Sequence, residues 1–150
     1  MEDVQVHLRS VAGFLLLAIA IVACGNKASL AETETLDRYR ALWQEKGPSD
    51  YEFTYVFGGG CEAERTRVKV VDHEPVSVTV IERGCDPVAL EDAPTIDDVF
   101  DRLSDFFGSA DDVRVTYDPD YGFPASMIVD RDKRTADEEY FIATEDFDPG

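Results

Sequence analysis

The chain reads as an α+β domain, an antiparallel sheet with helices on one face, and three features of its 150 residues predict that architecture. Two segments carry apolar residues at helical spacing, each is followed by segments of alternating apolar and polar residues, and turn residues separate the alternating segments. Helix then three strands occurs twice, offset by about 60 residues from Leu36 to Ile96, with little residue identity behind the repeat. We read this order as a duplicated α-β-β-β unit whose helices supply the second layer of the core.

The first helix is predicted over 35–46, where Leu36, Tyr39, Leu42 and Trp43 share a face and Gly47-Pro48 ends the run. Tyr51, Phe53, Tyr55 and Phe57 then alternate with Glu52, Thr54 and Val56 in a half-buried strand that stops at Gly58-Gly59-Gly60. Val68 and Val70 alternate with Arg67 and Lys69, Asp72-His73-Glu74-Pro75 turns the chain, and Val76, Val78 and Val80 complete a meander. Thr95-Ile96-Asp97-Asp98 opens the second helix as a capping box in its Asp form. Ile96, Val99, Phe100, Leu103, Phe106 and Phe107 mark its apolar face, and Gly108 is expected at the left-handed position past the last turn. Strands are predicted over 113–117, 125–130 and 139–144; Gly122-Phe123-Pro124 introduces the middle one, with Phe123 closing an end of the core.

Ahead of this domain runs the one apolar stretch long enough to enter a membrane, residues 11–23, closed by Cys24. Its 13 residues fall short of the roughly 20 needed to span a bilayer, so a cleaved signal is expected rather than a transmembrane helix. Ile21-Val22-Ala23-Cys24 resembles a bacterial lipobox, with an aliphatic residue three before the cysteine and a small one just before it. The expected organisation is a signal peptide over 1–23, a lipidated polar tether over 24–34 and a single domain over 35–150. Acyl chains on Cys24 contribute about 0.8 kcal/mol per buried methylene, enough to hold the protein to a membrane surface. Gly25 after the cysteine resembles outer-membrane sorting, which would face the protein to the periplasm of a Gram-negative cell.

The net charge is −18, with 32 acidic against 14 basic residues. Phosphate binding draws on clusters of Lys and Arg, so nucleic acid is not an expected partner. The two remaining cysteines, Cys61 and Cys85, belong to a chain bound for an oxidising compartment and are expected to form a disulfide, the alternative being two free buried thiols. No C-x-x-C spacing occurs, and past the signal His73 is the single histidine, too few ligands for a zinc site.

Residue patterns that carry catalysis are sparse. His73 falls in a hairpin turn and is read as an exposed turn residue rather than a general base. Asp118-Pro119-Asp120-Tyr121-Gly122 and Asp130-Arg131-Asp132 offer hard oxygen ligands for calcium, but the EF-hand spacing fails in both, so turns rich in Asp, Pro and Gly are favoured. Asp97, Asp101 and Asp105 form an acidic helical stripe read as solvated surface, with Arg102 pairing to Asp98. Arg65, Arg67 and Lys69 share one sheet face and are the candidate docking residues for an acidic partner or a glycan; cross-strand neutralisation by Glu52 and Glu82 is the competing reading.

Four strings, Asp50-Tyr51-Glu52-Phe53-Thr54-Tyr55, Thr95-Ile96-Asp97-Asp98-Val99-Phe100, Tyr117-Asp118 with Tyr121-Gly122-Phe123-Pro124, and Asp137-Glu138-Glu139-Tyr140, resemble the bacterial lipoprotein family catalogued as domain of unknown function 6174. The resemblance spans roughly residues 35–146 and implies an envelope-exported α+β domain; it brings no established activity and no catalytic residue. The sequence therefore points to a non-enzymatic, lipid-anchored envelope module without a cofactor, bound to the membrane through Cys24 and to an envelope protein partner. The second reading is a weak divalent-cation binder using loop 118–132.

Overall fold

Two helices and six strands alternate along the chain in a computed structural model that describes residues 29–59, 62–84, 88–135 and 139–150. Helix α1 (Leu30–Lys46) leads into β1 (Tyr51–Gly59), β2 (Glu64–Val71) and β3 (Glu74–Glu82). A short 3-10 turn, Leu90–Asp92, precedes α2 (Ile96–Ser109), which leads into β4 (Asp112–Tyr117), β5 (Pro124–Asp130) and β6 (Glu139–Asp148). The expected α+β class and element order hold. The signal segment, Cys24, and the cysteines Cys61 and Cys85 lie outside the described residues.

Helix α1 begins earlier than its periodicity indicates, taking residues 30–34 out of the expected tether. The cause is a capping box: the Ser29 hydroxyl accepts from the Glu32 amide, and the Glu32 carboxylate accepts from the Ser29 amide at 2.7 Å. Pro48 ends the helix, because proline disfavours the helical conformation in the residue before it, and Gly47 is extended. Helix α2 starts on the predicted box, with the Asp98 carboxylate 2.8 Å from the Thr95 amide. Gly108 does not stand past its end: α2 continues through Ser109 and Ala110 is the cap.

All six strands join one antiparallel sheet in the order β3-β2-β1-β6-β5-β4. The counterpart first strands of the two units take unlike places, β1 at the centre and β4 at an edge. Each unit lays its strands in the same lateral order, third-second-first, but β1 meets β6 antiparallel, so counterpart strands run in opposite directions.

One face of the sheet packs under both helices. Tyr51, Phe53 and Tyr55 of β1 sit beside Val70, Val68 and Thr66 of β2, all buried, and α2 lays Ile96, Val99, Phe100, Leu103 and Phe107 onto the same core. Burying such side chains contributes about 1.5–3 kcal/mol each. Trp43 of α1 meets Tyr51, Phe123 and Phe147 edge-on at 5.4, 6.1 and 5.9 Å between ring centroids. Phe123 is buried and Pro124 opens β5, as the sequence predicts.

Strand β6 runs four residues past its predicted end because of a bulge. Asp146 takes φ 49°, and Asp146 with Phe147 stands opposite Phe53 alone. The extra residue shifts the alternation by one, which returns Phe147 to the core. The β2–β3 turn is tighter than the sequence indicates. Asp72 and His73 alone form it with φ 51° and 65°, both positive as a type I′ turn requires, while Glu74 and Pro75 already belong to β3.

Candidate binding surface

Side chains at 65, 67 and 69 leave the core because their neighbours Glu64, Thr66, Val68 and Val70 point into it, a direct result of two-residue strand periodicity. Arg65, Arg67 and Lys69 thus stand in a row on the sheet face opposite the helices, and no helix among the described residues packs there. Acids flank the row. Glu52 of β1 lies 3.4 Å from Arg67 and 3.2 Å from Lys69, Arg65 pairs with Glu145 of β6, and Arg67 also donates to the Asp146 carbonyl at 2.7 Å. Glu82 is the register partner of Arg65, but Glu145 takes the ion pair. The result is a mixed-charge lattice over small, buried Val56 and Ala143, with Phe141 exposed beside it. On a chain of net charge −18, this surface is close to neutral.

Asp101 and Asp105 of the α2 acidic stripe are exposed, as expected of solvated surface, and two carboxylates of the stripe also reach α1. Asp101 pairs with Arg40 of α1 at 2.7 Å, and Asp97 accepts from the Trp43 indole at 3.4 Å, so these carboxylates join the two helices. Arg102 does not pair with Asp98, which is held by the capping box; its guanidinium donates to the Tyr55 hydroxyl at 2.6 Å. Tyr51 uses its hydroxyl as acceptor for the Ile96 amide at 3.0 Å, satisfying one of the open amides of α2's first turn. Burial pushes Tyr51 up to about 12 and raises Tyr55 as well, since a phenolate in the core would lose its hydration.

Strand β5 separates the acidic turns proposed for calcium. Asp118 and Asp120 precede its start, whereas Asp130 and Asp132 lie at its end; a seven-residue strand at about 3.3 Å per residue keeps them roughly 20 Å apart. Each cluster also has internal work: Asp118 accepts from the amides of Asp120 and Tyr121 at 2.9 and 2.8 Å, and Asp132 binds Arg134 at 2.9 Å. Those hydrogen bonds to Arg134 hold the Asp132 carboxyl below its ordinary range. The two clusters do not converge on one ion, and among the described residues no three His, Cys, Asp or Glu side chains do so.

His73 is exposed, and its amide donates to the Ser49 carbonyl at 3.0 Å, which ties the hairpin turn to the loop after α1. It lines a cavity of about 620 Å³ with Glu74, Glu91 and Asp98. No serine or cysteine nucleophile is among the residues lining that cavity.

Sequence reading missed Glu64, which is 2 % exposed on the inner face of β2. One carboxylate oxygen accepts from the Thr66 hydroxyl at 2.8 Å and the Val88 amide at 2.7 Å; the other has no partner among the described residues. Gly84 closes against the same place, where a Cβ would come within 2.7 Å of the Glu64 nitrogen and 2.8 Å of the Glu62 carbonyl. The segment after β3 is thereby clamped to the start of β2. The signal was present, since placing 65, 67 and 69 outward forces 64 and 66 inward.

The fold and surface define a small α+β module with one sheet face under the two helices and one that no helix among the described residues covers. Residues 35–149 match the model of the Family of unknown function (DUF6174), and the chain belongs to that family. No curated protein and no solved structure matches the chain.

Proposed function

We propose that the protein is a lipid-anchored binding module of the bacterial cell envelope, without catalytic activity, that docks a partner protein on the helix-free face of its sheet. The observation that carries this reading is the lattice of Arg65, Arg67, Lys69, Glu52 and Glu145 on a face no described helix covers, while two carboxylates of the competing acidic stripe, Asp97 and Asp101, already contact α1. A near-neutral patch with ordered charges of both signs selects a partner by register and excludes those that leave a charge unpaired. The anchor is Cys24, after removal of a signal peptide over 1–23. It lies five residues before the cap Ser29, so a reach of at most about 3.6 Å per residue would hold the start of α1 within roughly 18 Å of the lipid surface.

A Cys61–Cys85 disulfide belongs to the same reading, supported by the close approach of their chain neighbours Glu62 and Gly84. Two free sulfhydryls by thiol titration of the denatured, unreduced protein would end that part. Intact-mass spectra test the anchor, with an acyl increment expected on the wild type and none on Cys24→Ala. The docking face is tested by a photo-crosslinking amino acid placed at Phe141 or at Asp105 in living cells. Adducts are expected from position 141 alone; adducts from 105 alone would move the site to the helix layer.

A further inference from the structure

The two edges of the sheet are finished differently. The β3 edge is blunted: Pro75 has no amide hydrogen, and register shifts at Val76 and Ile81 bulge the strand. The β4 edge keeps unbroken one-to-one register with β5 over 112–116, so its outward amides and carbonyls stay evenly presented. Alongside β4 lies a groove of about 620 Å³. Residues 113–117 all line it, and consecutive strand residues point to opposite faces, so the groove opens on the backbone edge itself. Its other wall is one face of α1, with Ala31, Thr35, Arg38 and Tyr39 at helical spacing.

The groove is apolar inside and cationic at its rims. Tyr39 and Tyr117 stack at 4.1 Å between ring centroids, next to Phe107 and Val115. Arg38 lies over the Tyr39 ring at 5.0 Å and makes no ion pair among the described residues, in a chain with more than twice as many acids as bases. Arg114 stands on the strand side, 3.5 Å from Asp112. Glu32, the acid among the lining residues, is already held by the amide and hydroxyl of Ser29.

We propose that this groove binds an extended segment of a partner protein, which joins β4 as a seventh strand with its apolar side chains on the tyrosine floor, an acidic residue at the end of that inner row beside Arg38, and the carboxylates of its other face beside Arg114. Main-chain pairing supplies affinity and the alternate side chains supply selection. An acidic strand is favoured over a basic one because it neutralises Arg38, which has no ion pair among the described residues. This site is separate from the helix-free sheet face, so either stands without the other.

The test uses the full-length chain in lipid nanodiscs at physiological salt, where screening over about 8 Å limits repulsion from distant acids. The probe is a short fluorescein-labelled peptide of alternating valine and glutamate whose last inward valine is replaced by glutamate, read by anisotropy against empty nanodiscs. Saturable binding is expected, weakened about tenfold or more by Arg38→Glu and by swapping glutamate for lysine in the probe. N-methylation of alternate probe amides, which removes strand pairing but keeps charge and apolarity, is expected to weaken it as much. Trp43 fluorescence checks that Arg38→Glu remains folded, and Arg114→Glu serves as a second rim variant. Absence of saturable binding, equal affinity for the lysine probe, or indifference to N-methylation each overturns the proposal. Crosslinking from position 141 is expected to be unchanged in Arg38→Glu, which keeps this failure distinct from failure of the sheet-face reading.

Discussion

Gly122 and Gly108 should respond in opposite directions to the same substitution, alanine. Gly122 has φ +87°, and a Cβ there would lie 2.7 Å from the Tyr39 carbonyl oxygen and 3.0 Å from Leu42 Cβ. A left-handed conformation costs an L-residue about 1–2 kcal/mol, and forcing α1 away from the turn adds about 1–3 kcal/mol of overpacking. Gly122→Ala is therefore expected to destabilise by about 2–5 kcal/mol. Gly108 sits inside the last turn of α2, where an added methyl would meet nothing within 4 Å, so Gly108→Ala should stabilise by about 0.5–1 kcal/mol. Urea unfolding followed by Trp43, the sole tryptophan and a core residue, reads both. With a slope of about 1–3 kcal/mol per molar, the midpoint should fall by roughly 1–3 M for Gly122→Ala and rise by a few tenths for Gly108→Ala. Equal midpoints, or shifts of the same sign, would refute the close approach of the 118–123 turn to α1 and the helical placement of Gly108.

Three further outcomes follow from the core and its polar contacts. Phe100→Ala should cost about 3–5 kcal/mol because a cavity adds to the lost transfer energy, whereas exposed Asp105→Ala should leave the midpoint unchanged; the reverse order would reject the α2 register. Glu64→Ala should cost about 1–3 kcal/mol by orphaning the Val88 amide, and hydrogen exchange at Val88 should quicken selectively; unaltered exchange would deny the clamp. Tyr51 and Tyr117 are both raised from 10 to about 12, so the folded state holds these protons more tightly than the unfolded chain. Stability should be constant below pH 10 with respect to these groups and fall as pH rises from 10 to 12; a flat denaturation midpoint across that window contradicts their burial.

Much of the architecture is legible in the sequence because it rests on local periodicity. The α2 face, the Thr95 box and the alternating β1 residues each follow from spacing that neighbours cannot alter without losing the core. The features that escape depend on partners distant in sequence or on a single backbone angle. The 30–34 extension of α1 is signalled by Ser29 and Glu32, but these polar residues carry no apolar stripe and read as tether. The Phe147 return needs Asp146 at positive φ, a choice made by pairing with β1 some 95 residues earlier. The contacts of half-buried Asp97 with Trp43 and of exposed Asp101 with Arg40 escape because those partners belong to another helix. The surface row 65, 67 and 69 follows from alternation alone, whereas the groove at β4 requires knowing which strand ends the sheet and which helix lies beside it.

The central pairing of β1 with β6 joins residues 81 apart at Gly59–Tyr140 and 96 apart at Glu52–Asp148. What emerges first from a ribosome is therefore an α-β-β-β half whose inner strand β1 pairs with β2 on one side and has its other edge open. Closure waits for β6, residues 139–148, and must bring together the ends of a loop spanning most of the domain. Such a chain folds late and, with so many contacts between distant residues, slowly. That closure makes β6, rather than either helix, the step at which the domain commits to its shape.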